Sequence, residues 1–177
     1  PNGHKITIAL EEMGLEYQIF PINILENDQF QPDFLRISPN NKIPAIVDQN
    51  GPNGEPISVF ESGAILQYLG RKTGLYYPEN EQDRVEVEQW LMWQMGGFGP
   101  MLGQNHHFGK FAKEQIPYAI DRYVTETKRL YAVLNKQLIG QKNVAGEYSI
   151  ADMAILPWVL RHEWQQIDLD DYPYVKE

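Results

Sequence analysis

Residues 41–48 read "NKIPAIVD", and Pro44 restricts what the chain can fold into more than any other residue. "AIVD" (45–48) has the make-up of a short buried strand. Proline has no N–H to give to a ladder, so it is tolerated at the start or edge of a strand but not in its middle. The strand therefore begins after Ile43-Pro44. A turn rich in Asn, Gly and Pro, "QNGPNGEP" (49–56), leads to a second short run, "ISVF" (57–60). The two runs read as a hairpin with a long loop. "ESGAILQYLGRKTG" (61–74) follows as a helix, with Ser62 as its expected N-cap and Gly74 beyond its end.

Upstream, "GHKITIALEEMG" (3–14) places Ile6, Ala9, Leu10 and Met13 at helical spacing. "EYQIFPINI" (16–24) alternates like a strand, and "QPDFLRI" (31–37) reads as a short helix with Pro32 in its first turn. Strands joined through helices usually belong to a βαβ unit. Here the first strand of that unit is missing, so the order implies one upstream of Pro1. After Gly74 the character changes. From Val85 onward no strand pattern stands out, and Ile120, Tyr123, Thr127, Leu130, Leu134 and Leu138 recur at steps of three and four. The expected organisation is a mixed α/β domain at 1–76, a linker at 77–84 and an all-α domain at 85–177 that continues past Glu177.

Charge and cysteine content exclude several functions. A net charge of −9, acidic in both halves, argues against phosphate-backbone binding. No basic amphipathic helix suggests a membrane surface, and no apolar run approaches the ~18 residues of a membrane span. With no cysteine, the chain has no disulfide framework, thiolate metal site or cysteine nucleophile. Any thiol chemistry needs a ligand that brings the sulfur.

"MGGFGPMLGQNHHF" (95–108) lacks the GK[ST] ending of a phosphate loop. Gly96, Gly97 and Gly99 with Pro100 are expected to kink a helix and let backbone approach a ligand. His106 and His107 point about 100° apart on a helix and have no partner at metal-ligand spacing, so they read as loop or cleft lining. Ser149 and Asp152 fit a capping box, with Tyr148 and Met153 as staple partners. Trp90, Trp93 and Trp158 read as core.

"NKIPAIVD", followed about thirteen residues later by "ESGAILQYL", resembles the thioredoxin-like half of glutathione transferases. "YSIADMAILPW" (148–158) resembles the helix-capping segment of their all-α half. "PNGHKITIALEE", "SPNNKIPAIVD", "GPMLGQNHHF" and "IPYAIDRY" resemble the nu-class branch, the glutathione-dependent disulfide-bond reductases. The resemblance spans essentially the whole chain. It implies a thioredoxin-like α/β domain followed by an all-α domain, with glutathione in the cleft between them.

It also implies residue roles. The bond before Pro44 would be cis, which X-Pro bonds allow at small cost, and the turn would offer the N–H and C=O of Ile43 to the extended tripeptide. Ser62 would hold the γ-glutamyl carboxylate of glutathione and Glu61 its amino group. Lys42 would meet the glycyl carboxylate, and Gln29 would donate from its amide. Asn2 would lie beside the sulfur, where an amide donor and a helix start lower a thiol pKa from ~8.5. A Thr directly before Pro1 would complete that site. Arg122 would hold a second glutathione. On the residues alone, Pro44 fits a trans loop end, Asn2 a plain N-cap, Glu61-Ser62 a plain helix start, and Gln29, Lys42 and Arg122 solvated side chains.

The implied activity is disulfide reduction by bound glutathione thiols. Conjugation of glutathione to electrophiles and a non-enzymatic regulatory module are the alternatives. The implied partners are glutathione and a small disulfide, in a cytoplasmic homodimer without metal.

Overall fold

The computed structural model describes all 177 residues. They form two compact units, Pro1–Leu75 and Tyr76–Glu177.

In the first unit, α1 (Asn2–Glu12) buries Ile6 and Ala9, and Gly14 follows it at φ 64°. Pro1, not Asn2, holds the cap position, so Asn2 is the first helical residue rather than the N-cap. α2 (Pro32–Ile37) buries Phe34. β1 (Ala45–Asp48) and β2 (Ile57–Phe60) pair antiparallel, with Ala45 opposite Phe60 and Asp48 opposite Ile57. α3 (Ser62–Thr73) buries Ile65, Leu66 and Leu69, packs on α1, and ends at Gly74 with φ 71°. The sheet is anchored on α3 through Asp48, which accepts from Tyr68 Oη at 2.6 Å and Lys72 Nζ at 2.5 Å.

Two expectations fail here. Residues 16–24 are not a strand. A strand exists only through a ladder partner, and β1 and β2 pair with each other alone. The alternation is also not realised, since Ile19 and Phe20, expected on opposite faces, are both exposed. Ser62 is not the N-cap of α3. Glu61 takes that position at φ 68° and ψ 118°, and Ser62 opens the helix.

In the second unit, α4 (Glu81–Trp93) starts inside the expected linker. Asn80 caps it by accepting from the N–H groups of Gln82 and Asp83, and Glu81 and Asp83 add acidic charge to its first turn. These polar residues are start signals, not spacer. The helix runs through a π turn at Gln94–Phe98 into α5 (Gly99–His106) and a second π turn at His107–Phe111. The expected kink is thus a widened turn. Gly99 gives room there, because a Cβ would fall 2.7 Å from the buried Gln94 Nε2 and 3.2 Å from the Gln94 carbonyl oxygen, and the Gln94 side chain would have to move. α6 (Pro117–Gln137) buries Thr127, Leu130, Tyr131 and Leu134. α7 (Ile150–Val159) carries the Ser149–Asp152 capping box. α8 (Pro173–Lys176) is a single turn. Tyr148, expected as a staple residue, packs edge-on against Tyr76. Trp158 is buried, whereas Trp90 and Trp93 are half-buried and pack on each other. No helix is long and apolar enough to cross a membrane.

Candidate functional site

The register of the hairpin builds the first site. Ala45 opens β1 opposite Phe60, which closes β2. Ile43-Pro44 and Glu61-Ser62 therefore meet at the same end of the ribbon. The Ile43-Pro44 bond is cis, and neither the N–H nor the C=O of Ile43 bonds to another backbone group. Ile43 is exposed, so an extended peptide can pair with it. Just before it, Lys42 is exposed, and its carbonyl accepts from the buried Ser38 hydroxyl at 2.7 Å, which fixes the turn.

Across the ribbon end, Glu61 is exposed, and Oε1 accepts from Asn40 Nδ2 at 3.4 Å. A non-glycine residue at φ 68° is an uncommon conformation that carries a backbone cost. Ser62 is buried at the start of α3, where first-turn N–H groups lack partners within the helix and favour an anion.

Lys5 is the residue that sequence reasoning missed. It is 1% exposed, and its Nζ donates to Ser62 Oγ at 3.3 Å. Burial pulls its pKa down to about 7, against the charge of Glu61, which acts the other way. The signal was its spacing: Lys5, Ala9 and Met13 lie four apart on one buried face.

Gln29 sits in a single 3₁₀ turn, Asp28–Phe30. Its Nε2 already donates to the Ile24 carbonyl at 3.4 Å, while its buried Oε1 has no partner. The expected free amide donor is thus partly engaged, because residues 23–28 fold back in a tight turn beside it.

Arg122 belongs to the second unit. It is exposed on α6 and lines an open groove of about 600 Å³ with Gly96, Gly97, Met101 and Tyr118. Glu126, one turn on, is held by Arg129 through two bonds of 2.8 and 2.7 Å, and the Arg122 charge acts on the same carboxylate without a direct bond. A Cβ at Gly96 or Gly97 would meet nothing within 4 Å, so these glycines leave the groove wall low. The pair His106 and His107 belongs to no group of three or more His, Cys, Asp or Glu able to hold a metal ion. The His106 ring instead stacks on Trp158.

An exposed peptide edge and a lysine-backed helix start at one end of a hairpin suit a short peptide with a carboxylate. The glutathione S-transferase N-terminal domain family matches residues 1–71. The disulfide-bond oxidoreductase YfcG of Escherichia coli (strain K12) is 57% identical over 178 residues, 99% of this chain and 83% of that protein. The chain belongs to the glutathione transferase family. Its fold is that of the family, a thioredoxin-like domain followed by a helical one. A solved family member from Pseudomonas fluorescens pf-5, with two glutathione bound, superposes with a TM-score of 0.94 at 46% identity, over 99% of this chain and 81% of that one. A glutathione transferase from Pseudomonas putida, with one glutathione disulfide bound per subunit, gives 0.95 at 48% identity, over 99% and 80%.

Proposed function

We propose that this protein is an enzyme that reduces small disulfides with glutathione as its thiol. The observation that carries the reading is the 57% identity, over 99% of the chain, to a disulfide-bond oxidoreductase, in a chain that has no cysteine of its own. The sulfur must then come from the ligand. A bound glutathione thiolate attacks one sulfur of the disulfide, and the other sulfur leaves as a thiolate and takes up a proton. A second glutathione thiolate attacks the resulting mixed disulfide. The products are glutathione disulfide and the second substrate thiol, and two electrons have passed to the substrate. The binding of two glutathiones or one glutathione disulfide by related proteins supports a site with room for both sulfurs.

The protein supplies positioning and charge. In this reading the backbone of Ile43, beside Pro44, pairs with the cysteinyl residue of glutathione. Ser62 receives the γ-glutamyl carboxylate and Glu61 the amino group. Lys42 meets the glycyl carboxylate, Gln29 assists from its turn, and Asn2 lies near the sulfur. Arg122 holds the second glutathione. Ser149 and Asp152 are structural. The family likeness supports a homodimer. A cytoplasmic location belongs to the same reading, since the cycle consumes reduced glutathione and that compartment maintains it.

The test is turnover of a small disulfide such as 2-hydroxyethyl disulfide with glutathione as the only thiol, followed by appearance of glutathione disulfide. Sustained turnover is expected. Glutathione binding without turnover would overturn the enzymatic reading, and conjugation to an electrophile without disulfide reduction would replace it.

A further inference from the structure

Lys5 takes no part in the roles above, yet it is 1% exposed and reaches Ser62 Oγ at 3.3 Å. A buried ammonium is costly unless its charge is used or compensated. The position of the charge shows what it can do. A serine hydroxyl has one hydrogen to donate and two lone pairs, whereas a lysine ammonium has only hydrogens. With protonated Nζ donating into Ser62 Oγ, Lys5 cannot also accept the Ser62 hydrogen. Lys5 Nζ also reaches the first residue of α3, a helix of twelve residues, so in its protonated form it adds to the partial positive charge of that helix start. Glu61, the charge that opposes it, is exposed and bonded to Asn40.

We propose that Lys5 is a positioning residue for glutathione: its buried ammonium, acting through Ser62, orients that hydroxyl and supplies the charge that holds the γ-glutamyl carboxylate at the start of α3. This rests on the reading that places that carboxylate at Ser62. Lys5 does not touch the reacting sulfur.

The test compares glutathione with 4-aminobutyryl-cysteinyl-glycine, which keeps the amine and lacks only the γ-glutamyl carboxylate, by titration calorimetry on the full chain. The wild type is expected to prefer glutathione by tenfold or more. Lys5→Met should cut that preference below threefold while its affinity for the analogue stays within twofold. Lys5→Gln, which keeps a donor for Ser62 but no charge, should fall between and carries the same comparison if Lys5→Met does not fold. A preference that survives in both variants overturns the role of Lys5 and leaves the placement of the carboxylate standing. Equal loss for both ligands makes Lys5 merely structural and overturns the proposal. A wild type that does not discriminate at all overturns the placement itself, and the role of Lys5 with it.

Discussion

The Nζ of Lys5 and the Oγ of Ser62 lie 3.3 Å apart, 57 residues distant in sequence, and the bond joins α1 to the first residue of α3. Its cost gives the first prediction. The folded pKa of Lys5 is about 7, lowered by burial and partly restored by Glu61. An unfolded lysine titrates near ~10.4. Between these values the unfolded state holds a proton that the folded state has lost, so stability rises with pH across that window. The unfavourable contribution is complete below pH ~7 and gone above ~10.4. Raising the pH from 7 to 9 should therefore stabilise the wild type by about 2 kcal/mol relative to Lys5→Met, since the variant cancels every other titration. Denaturant unfolding of both proteins at the two pH values checks it, and parallel pH profiles would show that Lys5 is not desolvated.

Glu61 carries a second cost in the same corner. Its φ of 68° is a conformation in which glycine is at ease. Such positions cost roughly 1–3 kcal/mol and persist where the side chain serves a function. Glu61→Gly should raise stability by about 1 kcal/mol after the extra entropy of glycine is subtracted. The same variant should weaken glutathione binding about tenfold, the effect of removing a charged hydrogen-bond partner. Ser62→Ala should weaken binding comparably without the gain in stability. Thermal melts and calorimetry on both variants are the check. A Glu61→Gly protein that binds glutathione as the wild type does would mean that the strained backbone serves nothing at this site.

Arg122 separates the two expected ligands. It lies in the second unit and lines the groove with Gly96 and Gly97. Ile43, Glu61 and Ser62 all lie in the first unit. Arg122→Ala should reduce calorimetric stoichiometry from two glutathiones to one and lower disulfide turnover tenfold or more, with the tighter binding event unchanged. This follows from the loss of a charge-assisted contact worth about 1.5–3 kcal/mol. Unaltered stoichiometry and turnover would make Arg122 an ordinary surface arginine.

Legibility in the sequence followed the range of the interaction. α1, β1, β2 and α3 were readable because spacing, turn residues and Gly74 are local signals. The site corner was readable because the hairpin register alone brings Pro44 next to Glu61. Residues 16–24 were misread because alternation describes a willing strand, whereas a strand needs a ladder partner, and β1 and β2 pair only with each other. Ser62 was misread as a cap because Ser is a strong cap former, whereas the backbone turns at Glu61 instead. Lys5 was missed because lysine is almost never fully buried. Only its spacing with Ala9 and Met13 marked it as inward, and its partner at Ser62 is a long-range contact.

His106 gives the last prediction, and it concerns acid. Its ring is almost wholly buried, stacked on Trp158 at 5.6 Å, and its Nε2 has no hydrogen-bond partner. Burial first, and then nearby positive charge including Arg161 and Lys110, pulls its pKa down to about 4. An unfolded histidine titrates near ~6.5. Between pH 6.5 and 4 the unfolded state gains a proton that the folded state refuses, so stability falls with acid through that window. The loss should reach on the order of 2 kcal/mol by pH 4, once solvent screening at the open edge of the ring is allowed for. His106→Phe keeps an aromatic ring against Trp158 and removes both the titration and the unpartnered nitrogen. It should be more stable than the wild type at every pH, and the gap should widen from pH 7 to pH 4.5. Unfolding midpoints measured across that range decide the matter. A constant gap would mean that His106 is protonated as readily in the folded protein as in the unfolded chain.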